Sequence, residues 1–439
     1  MAIHPETHLV DGGETSVSVS SQVDEHMSDP DLGTSRSRDE PAVLAVEPAF
    51  VLLFPLHLSH PFTAVGSRPA GLTPLMADAA SAYVQRFAEL ETRLLGKAFL
   101  DARRIARWPI GRIAFDGAPP DAPDHADVYL LAHKSGVGLW EVWLPATSQK
   151  FDATRWIDWL DPEAADGLVK TLWRTLGPLH RELTGAATWS GWYFPITLLR
   201  APLLPLQSIV ERYGPDLVHL LFLDRPGRPL KADLVAEELK RDYCSRDGGM
   251  TLLGRRSGLD VHGREDLAEG DPSEDLPPHS ALPFIITLEI LLLELSVLQA
   301  LYERLSRHMP HSVDELLALK QKVLDSLEEY YGAIMTATRF SDAVTAAGER
   351  LLGIADLYDA VMVRLDAVSF AITTRYQNQM TLLQFWLTIV FGATEIGFIA
   401  ASIATWYYRT ELWAVLAWTL GAALVSGAGL TALLRGRAQ

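Results

Sequence analysis

Two apolar stretches near the C-terminal end limit what this chain can fold into. Residues 380–408 hold one charged side chain, Glu395, and residues 412–434 hold none. About 20 predominantly apolar residues suffice for a helix to cross the hydrocarbon of a bilayer. Both stretches are therefore expected to cross, the first over residues 379–408 and the second over 412–434. Only Arg409, Thr410 and Glu411 lie between them, so the connection is a tight external hairpin (409–411). Trp406, Tyr407, Tyr408 and Trp413 flank it as an aromatic belt at one interface.

Basic residues give the orientation. Arg364 and Arg375 precede the first stretch and Arg435 and Arg437 follow the second, against a lone Arg409 in the loop. Lysine and arginine near span ends favour the cytoplasmic side. The expectation is a multi-pass protein of the inner (plasma) membrane with both ends and the large N-terminal region cytoplasmic, including a tail at 435–439. Cys244 is the only cysteine, which excludes an intrachain disulfide and a cysteine-built zinc site within one chain. A net charge of -17 without a basic cluster argues against nucleic acid as a partner.

Residues 1–45 are rich in Ser, Asp, Glu and Gly and show no signal-peptide pattern, so a disordered tail is expected. Residues 46–280 read as a mixed α/β (or α+β) domain. AFVLLFPLHL, from Ala49, reads as a buried strand, and an amphipathic helix is expected over about 75–99. Residues 110–115 and a hairpin of 128–133 with 138–144 read as further strands. A helix is expected over 162–183 and another strand at 217–223 (LVHLLFL). The polar, Gly/Asp-rich segment 241–278 reads as a hairpin or mobile loop.

Residues 281–378 read as a helical stalk, favoured by the absence of proline after Pro310. The segment 283–308 is apolar enough to imitate a membrane span. Glu289 and Glu294 would each be expensive at mid-bilayer, so a buried or oligomer-facing soluble helix is expected. Ser312 and Glu315 form a capping box opening a second helix to about 335. In the third, Leu351, Ile354, Tyr358, Val361, Leu365, Val368 and Ile372 recur at alternating spacings of three and four, a seam that needs a partner helix. An unbroken helix over 341–406 would reach roughly 100 Å at about 1.5 Å per residue.

A mixed α/β domain, a long helix entering the bilayer, a short aromatic-flanked loop and a last span ending in arginines together resemble the CorA superfamily of divalent-cation channels. Asp356-Leu357-Tyr358, Asn378, Met380, Leu382, Thr388, Ile389 and Thr394-Glu395-Ile396 are similar to that family's stalk-to-membrane stretch. Glu411-Leu412-Trp413 is similar to its acidic-aromatic external loop. The resemblance covers about the last 100 residues. It implies a homopentamer whose first spans line a central pore, gated by soluble domains that sense cytoplasmic ions. The family's Gly-Met-Asn should fall near Ala401-Ser402-Ile403 and is absent, so magnesium selectivity is not carried over.

Glu395 is the sharpest single residue, because an ionisable group within a span faces a water-filled path or a partner. In an oligomer it would recur as a ring of carboxylates that attracts cations. A protonated Glu395 hydrogen-bonded within the bundle is the structural alternative. Thr388, Thr394 and Ser402 join it as ion-pathway candidates, although threonine also hides its hydroxyl on its own helix. Glu411 would concentrate cations outside or pair with Arg409. No catalytic constellation is present, so no enzyme is expected, and no cofactor is implied beyond a divalent cation such as magnesium acting as substrate or regulator. Expected partners are lipid, further copies of the chain and metal cations. A channel or transporter for metal cations is the leading expectation. A ligand-regulated membrane effector on the same scaffold and a non-conducting oligomeric anchor are the alternatives.

Overall fold

The computed structural model describes residues 45–58, 85, 87–94, 105–114, 118–119, 121–133, 136–164, 167–184, 192–267, 281–307, 315, 317–318, 321, 338–407 and 411–437. The expected N-terminal tail and nearly all of the expected 312–335 helix lie outside these residues. Of the expected 75–99 helix, residues 87–94 are described and helical.

An eight-stranded sheet organises the domain. Its strands are β1 (Ala45–His57), β2 (Ile105–Ala114), β3 (His125–His133), β4 (Val137–Leu144), β5 (Gln149–Lys150), β6 (Phe194–Arg200), β7 (Gly249–Leu253) and β8 (Gly258–His262). They run in the order β2-β3-β4-β1-β6-β8-β7, with β5 against the start of β1. All pairings are antiparallel except β6 with β8. The apolar run expected as a strand is thus the central β1, hydrogen-bonded to β4 and β6. The expected hairpin is β3 and β4, with Tyr129 opposite Glu141. The polar segment 241–278 holds the β7–β8 hairpin that closes one edge.

Both sheet faces are covered, which is why β1 reads as continuously apolar. Phe50, Leu52 and Phe54 point to one side, where they meet helices α1 (Ala153–Leu160), α2 (Leu168–Thr184) and α3 (Leu206–Phe222). Helix α4 (Ala232–Lys240) packs on α3, and Gly214 of α3 lies so close that an added Cβ would sit 3.0 Å from Leu239. Val51 and Leu53 point to the other side, against α6 (Ala281–Arg307); the short α5 (Arg264–Leu267) follows β8. One expectation is corrected here: 217–223 is not a strand but the last turns of α3, and Leu223 is its left-handed C-cap. Short apolar runs fit a buried strand and a buried helix equally by period, and here Ile209, Leu217, Leu220 and Leu221 share one helical core face.

Helix α6 is enclosed by the sheet on one side and by α7 (Arg339–Leu352) and α8 (Ile354–Tyr407) on the other. A helix apolar on all sides must be buried somewhere. Three described helices are long and apolar enough to cross a membrane: α6, α8 and α9 (Leu412–Arg437). Within the protein, 94% of the α6 window is buried, against 17% and 0% for the other two. Of the expected buried or oligomer-facing helix, the burial is what the fold shows.

The unbroken helix expected over 341–406 is interrupted once. Gly353, at φ +69°, ends α7 in the left-handed conformation, and its N–H donates to carbonyls of Glu349 and Arg350. The remaining α8 still has 54 residues, about 80 Å at about 1.5 Å per residue.

Candidate ion pathway along the C-terminal helices

Helices α8 and α9 form an antiparallel hairpin held by small residues. A Cβ on Gly397 would lie 3.3 Å from Ala423 Cβ and 3.4 Å from the Thr419 carbonyl. Gly392 faces Leu430, and Gly427 faces Ala393. Ile389, Gly397 and Ala404 are accordingly the buried positions of α8 in this stretch. Close approach through Gly and Ala is how apolar helices gain contact where no hydrophobic drive exists.

Glu395 points elsewhere. At about 100° per residue it sits roughly 120° to 180° around the helix from Ile389, Gly397 and Ala404. Thr388 and Ser402 share its face, at seven-residue intervals, as does Thr381. Interleaved at three- and four-residue steps are Gln377, Gln384, Phe391, Phe398 and Thr405, and all nine are exposed in the single chain. From 381 to 405 this stripe takes in every Ser, Thr, Gln and Glu except Thr394. Of the candidates Glu395, Thr388, Thr394 and Ser402, the fold therefore aligns three and sets Thr394 about 100° aside.

The hydroxyls of Thr381, Thr388, Ser402 and Thr405 donate to the carbonyls four residues earlier at 2.7–2.9 Å. Each keeps its oxygen lone pairs outward as acceptors, suited to a cation rather than an anion. Thr394 does the same toward Val390. Among the described residues Glu395 has no hydrogen-bond or ion-pair partner. Glu411 is exposed, and its carbonyl receives the N–H groups of Ala414 and Val415 at the start of α9. The Arg409 expected beside it lies outside the described residues.

Below the hairpin, the seam finds a partner in the same chain. Ile354, Val361 and Leu365 are buried in the core that contains α6, with Leu351 and Tyr358 half-buried against it. Val368 and Ile372 form a separate small cluster. The stripe continues downward on the opposite side of α8 through Thr374, Phe370, Ala367, Val363, Ala360 and Asp356. Val363 and Phe370 are 70% and 75% exposed, conspicuous for apolar side chains alongside the sheet domain. The signal was present in the sequence as a second three-four repeat, two residues out of phase with the first. The stronger aliphatic character of the first seam hides it.

Two clusters of buried charge brace this scaffold. Arg107 of β2 makes a bidentate contact with Glu289 of α6, at 2.9 and 2.6 Å, and also pairs with Glu141 of β4 and Glu91. Trp143 donates its indole N–H to Glu141, and the guanidinium lies 4.1 Å from the Phe87 ring centre. Burial pushes the Glu289 carboxyl above its ordinary pKa, opposed by the guanidinium and helped by the Glu91 charge. In the second cluster, His262 of β8 is held between Asp260 at 2.6 Å and Asp266 at 2.7 Å. Burial alone would lower its pKa, but the charges and hydrogen bonds of the two carboxylates outweigh it and raise it to about 9. No group of three or more metal-ligating side chains is found among the described residues.

Comparison with known proteins finds no matching family model, no similar characterised protein and no solved structure of similar fold.

Proposed function

We propose that the chain assembles with copies of itself into a membrane protein on a CorA-like plan, in which the exposed face of α8 lines a pathway for metal cations. The observation that carries this reading is the concentration of the polar side chains of α8 on one stripe, opposite α9, with Glu395 at its centre. A lone span in lipid gains nothing from aligning Gln384, Thr388, Glu395 and Ser402, whereas helices around an axis turn them into polar rings. Val363 and Phe370 continue the same face toward the cytoplasm and give neighbouring copies an apolar contact. The copy number follows the resemblance, a pentamer. Arginine asymmetry supports cytoplasmic ends, with Glu411 at the external mouth. A divalent cation is the substrate or regulator this acceptor-lined stripe suits best; magnesium selectivity has no Gly-Met-Asn to support it.

The test is cation flux into proteoliposomes with Mg²⁺, Co²⁺, Zn²⁺, Na⁺ and K⁺, comparing wild type with Glu395→Gln and Thr394→Ala. Flux lost or reselected by Glu395→Gln and unchanged by Thr394→Ala is expected. Equal effects of both substitutions would sink the stripe as pathway.

A ligand-regulated effector is a second reading, favoured by a cavity of about 200 Å³ in the soluble domain. Trp192, Tyr193, Asp161 and Arg256 line it, with Leu223 held at φ +53° on its wall. A leucine in left-handed backbone is unusual, and here it is the C-cap that ends α3 at the cavity wall. An oligomer that conducts nothing until a small molecule is added would favour this reading.

A further inference from the structure

We infer that Glu294 of α6 is a proton-binding site whose occupancy controls how tightly α7 is held against α6. The backbone of α7 lies directly on an α6 side chain: a Cβ on Gly348 would lie 2.4 Å from Leu291 Cδ1. Glu294 stands one turn along α6 from Leu291, and Glu349 directly follows Gly348, so the contact brings the two carboxylates to one interface. Glu294 is 3% exposed, and its Oε2 has no hydrogen-bond partner; the buried Thr345 Oγ1 on α7 has none either. An ionised carboxylate left this way inside an apolar interface is strongly disfavoured, and a neutral acid is tolerated.

Among the described residues, no cation neutralises Glu294. Arg107 of β2 is committed to Glu141 of β4 and to Glu289. His57 of β1 responds to Glu303, further along α6. On α8, Asp356, Asp359 and Arg364 are exposed, and Tyr358 is half-buried. Glu349 supplies the charge that Glu294 feels, and it is of the same sign. Burial first, and the Glu349 carboxylate second, push the Glu294 pKa up to about 7. Burial raises that of Glu349 as well.

The direction of the effect follows from linkage. A carboxyl with a raised pKa binds its proton more tightly in the folded state, so its stabilisation is full below its ordinary pKa and is lost as pH rises to about 7. Above that, the second negative charge loosens α7 from α6. Helix α7 joins α8 through Gly353 alone, so the change is delivered to the N-terminal end of the long helix.

Hydrogen–deuterium exchange of the full chain in detergent, corrected for intrinsic rates, tests this at about pH 5.5 and about pH 8.5. Protection of residues 339–352 in wild type should fall roughly tenfold or more at the higher pH. Glu294→Gln, an imitation of the protonated acid, should hold α7 protected at both. Glu349→Gln should keep the transition but move it to lower pH. A flat wild-type response, or an unchanged transition in Glu294→Gln, would overturn the inference. If Glu294→Gln does not fold, infrared titration of the wild type decides instead. A carboxylic acid band vanishing near neutral pH supports the site, and its absence refutes it.

Discussion

Helices α6 and α8 are both long and apolar enough to cross a membrane, both carry acidic residues amid leucines and isoleucines, and they end in opposite surroundings. On α6, Glu289 meets the bidentate guanidinium of Arg107, and the sheet, α7 and α8 cover the rest. On α8, Glu395 has no partner among the described residues and lies on the face turned away from α9. Apolarity therefore does not by itself distinguish the enclosed α6 from the exposed α8. What separates Glu289 from Glu395 is an answering charge, and for Glu289 that charge comes from a strand about 180 residues earlier in the chain.

Removing that answer should have the largest effect. Arg107→Leu leaves Glu289, Glu141 and Glu91 crowded without a cation, and breaking one partner out of a buried pair costs about 3–5 kcal/mol. Thermal unfolding of the purified protein should show the loss, whereas Arg112→Leu, which removes the exposed pair with Asp127, should cost less than about 1 kcal/mol. Comparable losses from the two would mean that α6 is not held by its charge.

Glutamate-to-leucine changes on the two helices should act with opposite sign. Glu395→Leu removes a charge whose burden at the centre of a span is about 3 kcal/mol, so insertion of α8 should become more favourable. Glu289→Leu strands the Arg107 guanidinium and should destabilise the soluble domain. A membrane-insertion assay for the first and thermal unfolding for the second make the comparison, and the same sign for both would dissolve it.

His262 is a third answered charge, accessible by pH. Its folded pKa of about 9 lies above the ordinary 6.5, so its stabilisation is complete below 6.5 and is lost as pH rises through 9. The loss is on the order of 3 kcal/mol at most. His262→Gln should flatten stability between those values; an unchanged slope would place the alkaline titration elsewhere.

Much of this was legible from residues alone. The continuous apolar run from Ala49 foretold a buried strand, and Glu289 and Glu294 argued for the enclosed position that α6 takes. The partner of Glu289 was not legible, because a single arginine within IARWPIGRIA carries no local sign of meeting a distant helix. Nor was the break at Gly353, since one glycine amid good helix formers costs only about 1 kcal/mol and is often tolerated. Residues 217–223 failed because seven apolar residues contain too little period to tell helix from strand. The site was half legible: Glu395, Thr388 and Ser402 share a heptad position, which separates them from Thr394, but the aliphatic seam drew the periodic reading to the other face.

The smallest effect concerns what holds the two C-terminal helices together. If α8 keeps its polar stripe outward, it does so because the opposite face is fixed to α9 through Gly397, where an added Cβ would already sit 3.3 Å from Ala423 Cβ and 3.4 Å from the Thr419 carbonyl. Gly397→Leu should push α9 away at a cost of about 1–2 kcal/mol, seen as a lower unfolding temperature in detergent. Gly421 has nothing within 4 Å of an added Cβ, so Gly421→Leu should change little and serves as the matched control. Rotation of α8 released by Gly397→Leu would also spread the effect of Glu395→Gln on flux, making it weaker in the double variant than in the single one. Strict additivity of the two would mean that α9 does not set the direction in which Glu395 points.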